Sequence, residues 1–306
     1  MNLIQEKDGF TGNLGNSNSE AKDIFWMLEL TAPRIKSSIK SRHKQLELSE
    51  SVLKKSNAII ENALSNEIYL YRSDFQNEFM KAGIKTDSNR LSHLLLCAEL
   101  DGIICSGPAN AGKQSYTLLS NRVPCKKILP RDLALAELAK RYFTSHGPAT
   151  LKDFIWWSGL SKQDAKLGVE SIKQLLTCEK VGSAEYWFAS FPSQVIRKND
   201  DVFLLPAYDE FLISYADRTP SLASSDNKKT VSNNGIFRPV VVKNGQVTGL
   251  WRRLTKKHNV IIEAEMYMPM LNKYQEQLQK GAYLYGQFLN RQIEINLIHP
   301  HYERKS

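Results

Sequence analysis

Along the chain the apolar positions change their period. From about residue 21 to about residue 176 they recur every three or four positions, as in helices that bury one face, and beyond residue 201 they form short alternating or continuous runs, as in strands. KDIFWMLELTAPRI predicts a helix through Ile24, Phe25, Trp26, Met27 and Leu28 that stops at Pro33, and residues 49–64 predict a second. Ser73-Asp-Phe-Gln76 has the spelling of a capping box and opens a helix ending near Gly83. The next helix, from about Ser88, sets Leu91, Leu94, Leu95 and Ala98 on one face and Arg90 and His93 on the other, with Gly102 at its left-handed end. Two short strands follow at 103–106 and 116–119.

Helix, helix and β-hairpin in this order predict a winged helix, and the pattern recurs about 76 residues later. Leu133, Ala136, Leu138, Ala139 and Tyr142 mark a helix ending at Gly147; Thr150 and Asp153 cap a second through Trp156 and Trp157; Ser161 and Asp164 cap a third. That third helix buries Ala165, Val169, Ile172 and Leu176 and turns Lys162, Lys166 and Lys173 outward, and a hairpin at 178–189 follows. Gly83-Ile84 corresponds to Gly159-Leu160 at the tight turn before the last helix of each unit. Trp156 and Trp157 read chiefly as packing within this unit, with a stacking wedge as the alternative.

The loop of the first hairpin, Gly107-Pro-Ala-Asn-Ala-Gly112-Lys113, superficially matches a phosphate-binding loop. Such a loop needs a Ser or Thr after its lysine and a helix N-terminus beyond it. Gln114 stands at the hydroxyl position and a β-like run follows, so the stretch reads as a wing with Lys113 at its tip. No nucleotide cofactor is expected.

Strands are predicted at 202–205, 211–214, 237–242, 247–252, 260–264 and 292–298, with a helix at 268–289. Asn244-Gly245 is a tight-hairpin signal, and the polar stretch 219–234 reads as a mobile loop. The predicted class is therefore α+β, tandem winged helices followed by a β-rich C-terminal domain.

Composition narrows the partners. The 306 residues carry 41 Lys and Arg against 32 Asp and Glu, a net charge of +9. The cations cluster at Arg34, Lys36, Lys40, Arg42 and Lys44, at Arg122, Lys126, Lys127 and Arg131, and at Arg252, Arg253, Lys256 and Lys257. Clusters of this kind attract a polyanion through counterion release. Cys97, Cys105, Cys125 and Cys178 show no C-x-x-C pairing and read as buried thiols, and the histidines, including His299 and His301, show no ligand spacing, so neither metal nor other cofactor is expected. No apolar run reaches the roughly 18 residues of a membrane span and no signal sequence is evident, so a cytoplasmic protein without membrane contact is expected; nucleoid association and a monomeric state are further expectations.

Three stretches, RYFTSHGPATLKDFIWWSGLS at 141–161, LLPAYDEFLISYADR at 204–218 and GIFRPVVVKNGQVTGLWRR at 235–253, together resemble the AlkZ-like winged-helix DNA glycosylases over about residues 22–298. The resemblance implies a bacterial protein of tandem winged helices and a β-rich domain that acts on alkylated or crosslinked purines in double-stranded DNA. It also implies a catalytic Gln-x-Gln or Gln-x-Asp motif ahead of the segment that AKDIFWMLELTAPRI resembles. Only about 20 residues of loose composition precede that segment here, and the motif is not among them. Gln275-Glu-Gln277 has its spelling but lies in a polar helix near the other end of the chain. The expected organisation is a disordered tail at 1–20, the remnant of a first winged helix at 21–56, winged helices at 57–125 and 126–200, and the β-rich domain at 201–306.

Without that motif, the expectation is a DNA-binding protein of this family, with an active glycosylase and a non-catalytic transcriptional regulator as alternatives. Hydrolysis of an N-glycosidic bond needs a group that orients or deprotonates water. Asp209 and Glu210 are the catalytic candidates and Asp217 stands near them; the competing reading pairs these acids with Arg218 or Arg238 as structural links. For DNA contact the candidates are Arg90, Lys113, Lys162, Lys166, Arg252 and Arg253, mostly to phosphates.

Overall fold

The computed structural model describes residues 21–108, 113–189, 202–256 and 259–298. These fall into two units divided between Ala189 and Ser190. The tail at 1–20, the wing tip at 109–112, the expected boundary at 200/201 and the terminal histidines lie outside the described residues.

Among the described residues the first unit begins with α1 (Ile24–Ser38), followed by the short α2 (Lys40–Gln45). Pro33 does not end α1 but sits inside it. An interior proline costs a helix about 3 kcal/mol, and here Trp26, Leu30 and Ala32, all buried, hold the helix through that position. Then comes the first winged helix: α3 (Glu50–Leu64), β1 (Leu70–Tyr71), α4 (Arg72–Lys81), α5 (Arg90–Leu100), and the hairpin β2 (Ile104–Ser106) and β3 (Ser115–Leu118), with strand order β1-β3-β2. Its core gathers Ile60, Leu64, Phe75, Phe79, Leu91, Leu94 and Leu95. Position 56/57, expected as a boundary, falls inside α3, whose apolar face belongs to this core. The capping box also differs from the expected one. Pairing of Leu70 with Tyr116 and Tyr71 with Ser115 keeps the chain extended through Tyr71, so the helix starts there and the Tyr71 N–H donates to the Asp74 carboxylate at 2.8 Å.

A short helix, α6 (Leu119–Arg122), leads towards the second winged helix: α7 (Arg131–Ser145), α8 (Leu151–Ser158), α9 (Lys162–Ile172), and the hairpin β4 (Leu176–Val181) and β5 (Ala184–Ala189). Ala149 bridges Trp187, repeating the β1–β3 contact of the first winged helix, in which the chain just before the middle helix pairs with the second wing strand. Thr150 and Asp153 form the expected capping box. Gly168 lets α9 cross α7 closely, since a Cβ there would lie 2.8 Å from the Leu135 carbonyl oxygen. Leu133 is exposed and Leu135 takes its expected place in the core.

In the second unit five strands, β6 (Val202–Leu205), β7 (Val240–Lys243), β8 (Gln246–Thr255), β9 (Asn259–Met266) and β10 (Gln292–Ile298), run in the order β10-β9-β8-β7-β6. Among the described strands only β9 and β10 pair in parallel, joined by the crossover helix α12 (Asn272–Leu289). One sheet face packs Val241, Ala264 and Met266 against Tyr274 and Leu278 of α12; Val240, Val242 and Val247 on the other meet Leu212 and Leu222. Asn244 and Gly245 are both left-handed, as the tight hairpin requires.

Residues 211–214 are not a strand: Asp209 caps α10 (Glu210–Ile213) by accepting the Phe211 N–H at 2.9 Å. A four-residue apolar run cannot distinguish strand from helix by period alone. The stretch 219–234 is packed and includes the short α11 (Asn227–Thr230), with Leu222 and Thr230 buried and the Val247 N–H donating to the Ser221 carbonyl at 2.8 Å. Of the cysteines, Cys97 and Cys105 are buried as expected, whereas Cys125 and Cys178 are exposed. Among the described residues no helix is long and apolar enough to cross a membrane.

Candidate nucleic-acid interface

The last helix of the second winged helix presents the best-defined cationic face. Ser161 caps α9 by accepting the Asp164 N–H at 3.0 Å, and Arg131 holds the Asp164 carboxylate at 2.9 Å. Burial pushes that carboxyl upward, but the Ser161 hydroxyl and the Arg131 guanidinium outweigh it and hold Asp164 below the usual carboxylate range. With Ala165, Val169 and Ile172 in the core, Lys162, Gln163, Lys166, Leu167 and Glu170 face solvent. Lys162 and Lys166 stand about one turn apart, and neither has a carboxylate partner among the described residues. Lys173, by contrast, reaches Glu170 at 3.3 Å and lies over the Trp187 ring. Trp157 packs on Tyr142, ring centres 5.0 Å apart, while Trp156 is 53% exposed.

In the first winged helix the expectation for Arg90 fails. Its side chain turns inward, donating to the Lys85 carbonyl at 3.0 Å and to the Leu46 carbonyl, and the residue is only 8% exposed. The period placed Arg90 opposite the leucines, but at the first position of α5 the long side chain folds back to meet carbonyls left open by the preceding loops. Lys113 is exposed two residues ahead of β3, on the wing. Between α1 and α2 on one side and α3 and α5 of this winged helix on the other lies an open cavity of about 840 Å³, with Lys40 and Lys44 at its rim and His43, Asn57, Cys97 and Asp101 among its lining. Burial lowers both His43 and His93, helped by His93 beside the former and Arg42 beside the latter, and burial raises the Cys97 thiol to about 11. Lys40 and Lys44 have no carboxylate partner among the described residues, whereas Lys36 is paired with Asp101 and Arg34 is bonded to backbone carbonyls.

In the second unit Arg252 is exposed but paired with Glu263, and Arg253 donates to the Tyr285 hydroxyl at 2.6 Å. Being adjacent on β8, they project to opposite sheet faces and form no joint patch. Asp209 and Glu210 begin the same helix. Burial raises the Asp209 carboxyl, with the Glu210 charge adding to the rise and the Phe211 N–H opposing it. Glu210 accepts from the Ser214 hydroxyl, and Asp217 accepts the Thr219 N–H at 3.0 Å. Arg218 donates to the Leu212 carbonyl at 2.9 Å. Gln275 donates to the Met270 carbonyl at 3.0 Å within the start of α12. No group of three or more metal-ligating side chains occurs among the described residues.

Sequence reasoning missed the ion cluster at the start of α1. Asp23, 1% exposed, accepts from the Trp26 indole at 2.8 Å and from Lys127 at 2.9 Å, and Arg141 approaches its other oxygen at 2.7 Å. This last contact is an ion pair without good hydrogen-bond alignment, leaving Oδ2 without a well-formed hydrogen bond. The spacing of Asp23 and Trp26, one helical turn, was the available local signal; Lys127 and Arg141 lie too far along the chain for any period to reveal.

Comparison with known proteins supplies the context. A family model described as DNA glycosylase AlkZ-like matches residues 19–288. The interstrand DNA cross-link repair glycosylase of Streptomyces sahachiroi is 27% identical over an alignment of 168 positions that covers 49% of this chain and 43% of that protein, so the match spans less than half of the relative's length. The solved structure of Streptomyces sahachiroi DNA glycosylase AlkZ has the same fold, with a TM-score of 0.69 at 18% identity, covering 90% of this chain and 78% of that one.

Proposed function

The chain belongs to the AlkZ-like DNA glycosylase family, and from that premise we propose that it binds double-stranded DNA, including duplexes that carry alkylated or crosslinked purines. The carrying observation is the exposed face of α9, where Lys162 and Lys166 have no carboxylate partner among the described residues while Ser161 caps the helix. Winged helices commonly set their last helix against the major groove, and two exposed ammonium groups one turn apart suit the phosphates flanking it. Lys113 on the first wing and Lys40 and Lys44 at the cavity rim extend the contact. The protein works in this reading as a cytoplasmic, nucleoid-associated monomer that needs no nucleotide cofactor.

A second reading, hydrolysis of an N-glycosidic bond, is favoured by Asp209, whose raised carboxyl is the kind of group that general acid–base chemistry uses. Against it stand the structural engagements of both acids, Asp209 with the Phe211 N–H and Glu210 with Ser214. One experiment separates the readings: mass-spectrometric detection of free base released from a duplex bearing an alkylated purine, with binding to the same duplex followed in parallel. Binding without release is the expected outcome. Release abolished by Asp209→Ala establishes the second reading, and a defined operator preference without release makes the protein a regulator. Failure to bind any duplex removes the DNA reading.

A further inference from the structure

We infer that α1 is a rigid coupler that locks the two winged helices into a single DNA-binding body, with Asp23 and Arg34 as its positioning residues. The inference rests on the DNA-binding reading for its purpose but not for its geometry.

Each end of α1 is tied to both sides. Towards the first winged helix, Ile24, Phe25 and Leu28 pack on the cluster of Cys105, Leu119 and Val123, and Lys36 pairs with Asp101 just past α5. The connecting segment is pinned by Lys126 over the Phe25 ring and by Lys127 on Asp23. Towards the second winged helix, Asp23 and Trp26 both engage Arg141 of α7, whose guanidinium lies 5.4 Å from the indole ring centre. Further along, Arg34 donates to the carbonyls of Gly159 and Leu160, the tight turn that sets the start of α9. Because Asp23 is buried, its charge is tolerable only with Lys127 and Arg141 in place, so the linker and α7 are held by the same carboxylate. A tandem of domains joined only by the stretch between α6 and α7 would reorient freely; this one is preorganised. Preorganisation spares the ordering cost that two loosely tethered modules meet on binding one ligand.

The test uses the full chain with Asp23→Asn and, separately, Arg34→Gln, which removes a surface clamp without uncovering a buried charge. Spin labels at Cys178 and at a cysteine replacing the exposed Met80, in a Cys125→Ser background, report the distance between the two winged helices. The expected result is a narrow distribution in the parent and a broadened one in both variants. Affinity for a duplex long enough for both winged helices should fall about tenfold, with the salt slope of Asp23→Asn unchanged and affinity for a duplex of about one helical turn preserved. The sign is diagnostic. Removing an acid strengthens polyanion binding if charge alone matters, whereas loss of positioning weakens it. Distributions that stay narrow in both variants overturn the inference. A parent that binds no duplex, yet whose distribution broadens in the variants, sinks the DNA reading and leaves the coupler standing.

Discussion

The salt dependence of DNA binding tests the cationic face of α9 most directly. The perturbation is Lys162→Ala with Lys166→Ala. Both side chains are exposed and have no carboxylate partner among the described residues, and alanine keeps the helix at least as favourable as lysine, so the fold should change by less than about 0.5 kcal/mol. If each ammonium neutralises one phosphate, the slope of log affinity against log salt loses about 0.9 per lysine, or about 1.8 for the pair. From about 50 to about 200 mM salt, the parent's affinity should then fall roughly twelvefold more than the variant's. Fluorescence anisotropy with one labelled duplex over that salt range reads the slope, and thermal unfolding confirms the fold. Lys81→Ala is the control, because that ammonium is already 2.7 Å from Glu78, and it should leave the slope alone. Equal slopes and affinities for the parent and the double variant would refute the assignment of α9 to the DNA surface.

Two further outcomes follow from the packing. Asp209 has a raised folded-state carboxyl, so its contribution to stability is complete below the ordinary carboxylate pKa, about 3.9, and is lost as pH rises through the folded value. Asp209→Asn, which keeps an oxygen to accept the Phe211 N–H, should therefore unfold at the same or a higher denaturant midpoint than the parent at pH 7, with the gap closing towards pH 4; a variant clearly weaker at pH 7 shows that the charged form is needed. Gly168→Ala places a Cβ 2.8 Å from the Leu135 carbonyl oxygen, backbone that cannot swing aside, and should cost about 1–3 kcal/mol by forcing α7 and α9 apart; an unchanged melting temperature contradicts so close a crossing.

What the sequence made legible was local. Ser161 with Asp164 and Thr150 with Asp153 are three residues apart, so their capping could be seen without a structure. The Asn244-Gly245 turn likewise follows from backbone preference alone. Burial and strand pairing set what was missed. Pro33 marks a stop only when nothing else holds the helix, and Trp26 and Leu30 hold it. The start of α4 follows from the β1–β3 pairing, a contact across about 45 residues. At the candidate site the third-helix lysines followed from period, because a helix whose apolar face is known also has a known polar face. Arg90 did not, since a long side chain at a helix start reaches carbonyls in any direction that leaves them open.

The same distinction limits what net charge says about function. Arg34 and Lys36 were read together with Lys40 and Lys44 as one basic run, but the first two hold α1 to its neighbours and the last two do not. Lys127 and Arg141 neutralise a buried carboxylate, Arg90 satisfies backbone carbonyls, and Arg252 is paired on the sheet. A cation already spent on an internal acceptor must lose that contact before it can meet a phosphate, and leaving the acceptor buried and unpaired costs about 1–3 kcal/mol. That is comparable with what one phosphate contact returns. The residues that can take a polyanion at little cost are those without a carboxylate or carbonyl partner among the described residues, which favours Lys162, Lys166, Lys40 and Lys44 over the arginines the sequence had ranked beside them. The arginines, with their several donors in a fixed fork, are the natural struts between elements, and in this chain they fix the frame on which the lysines are displayed.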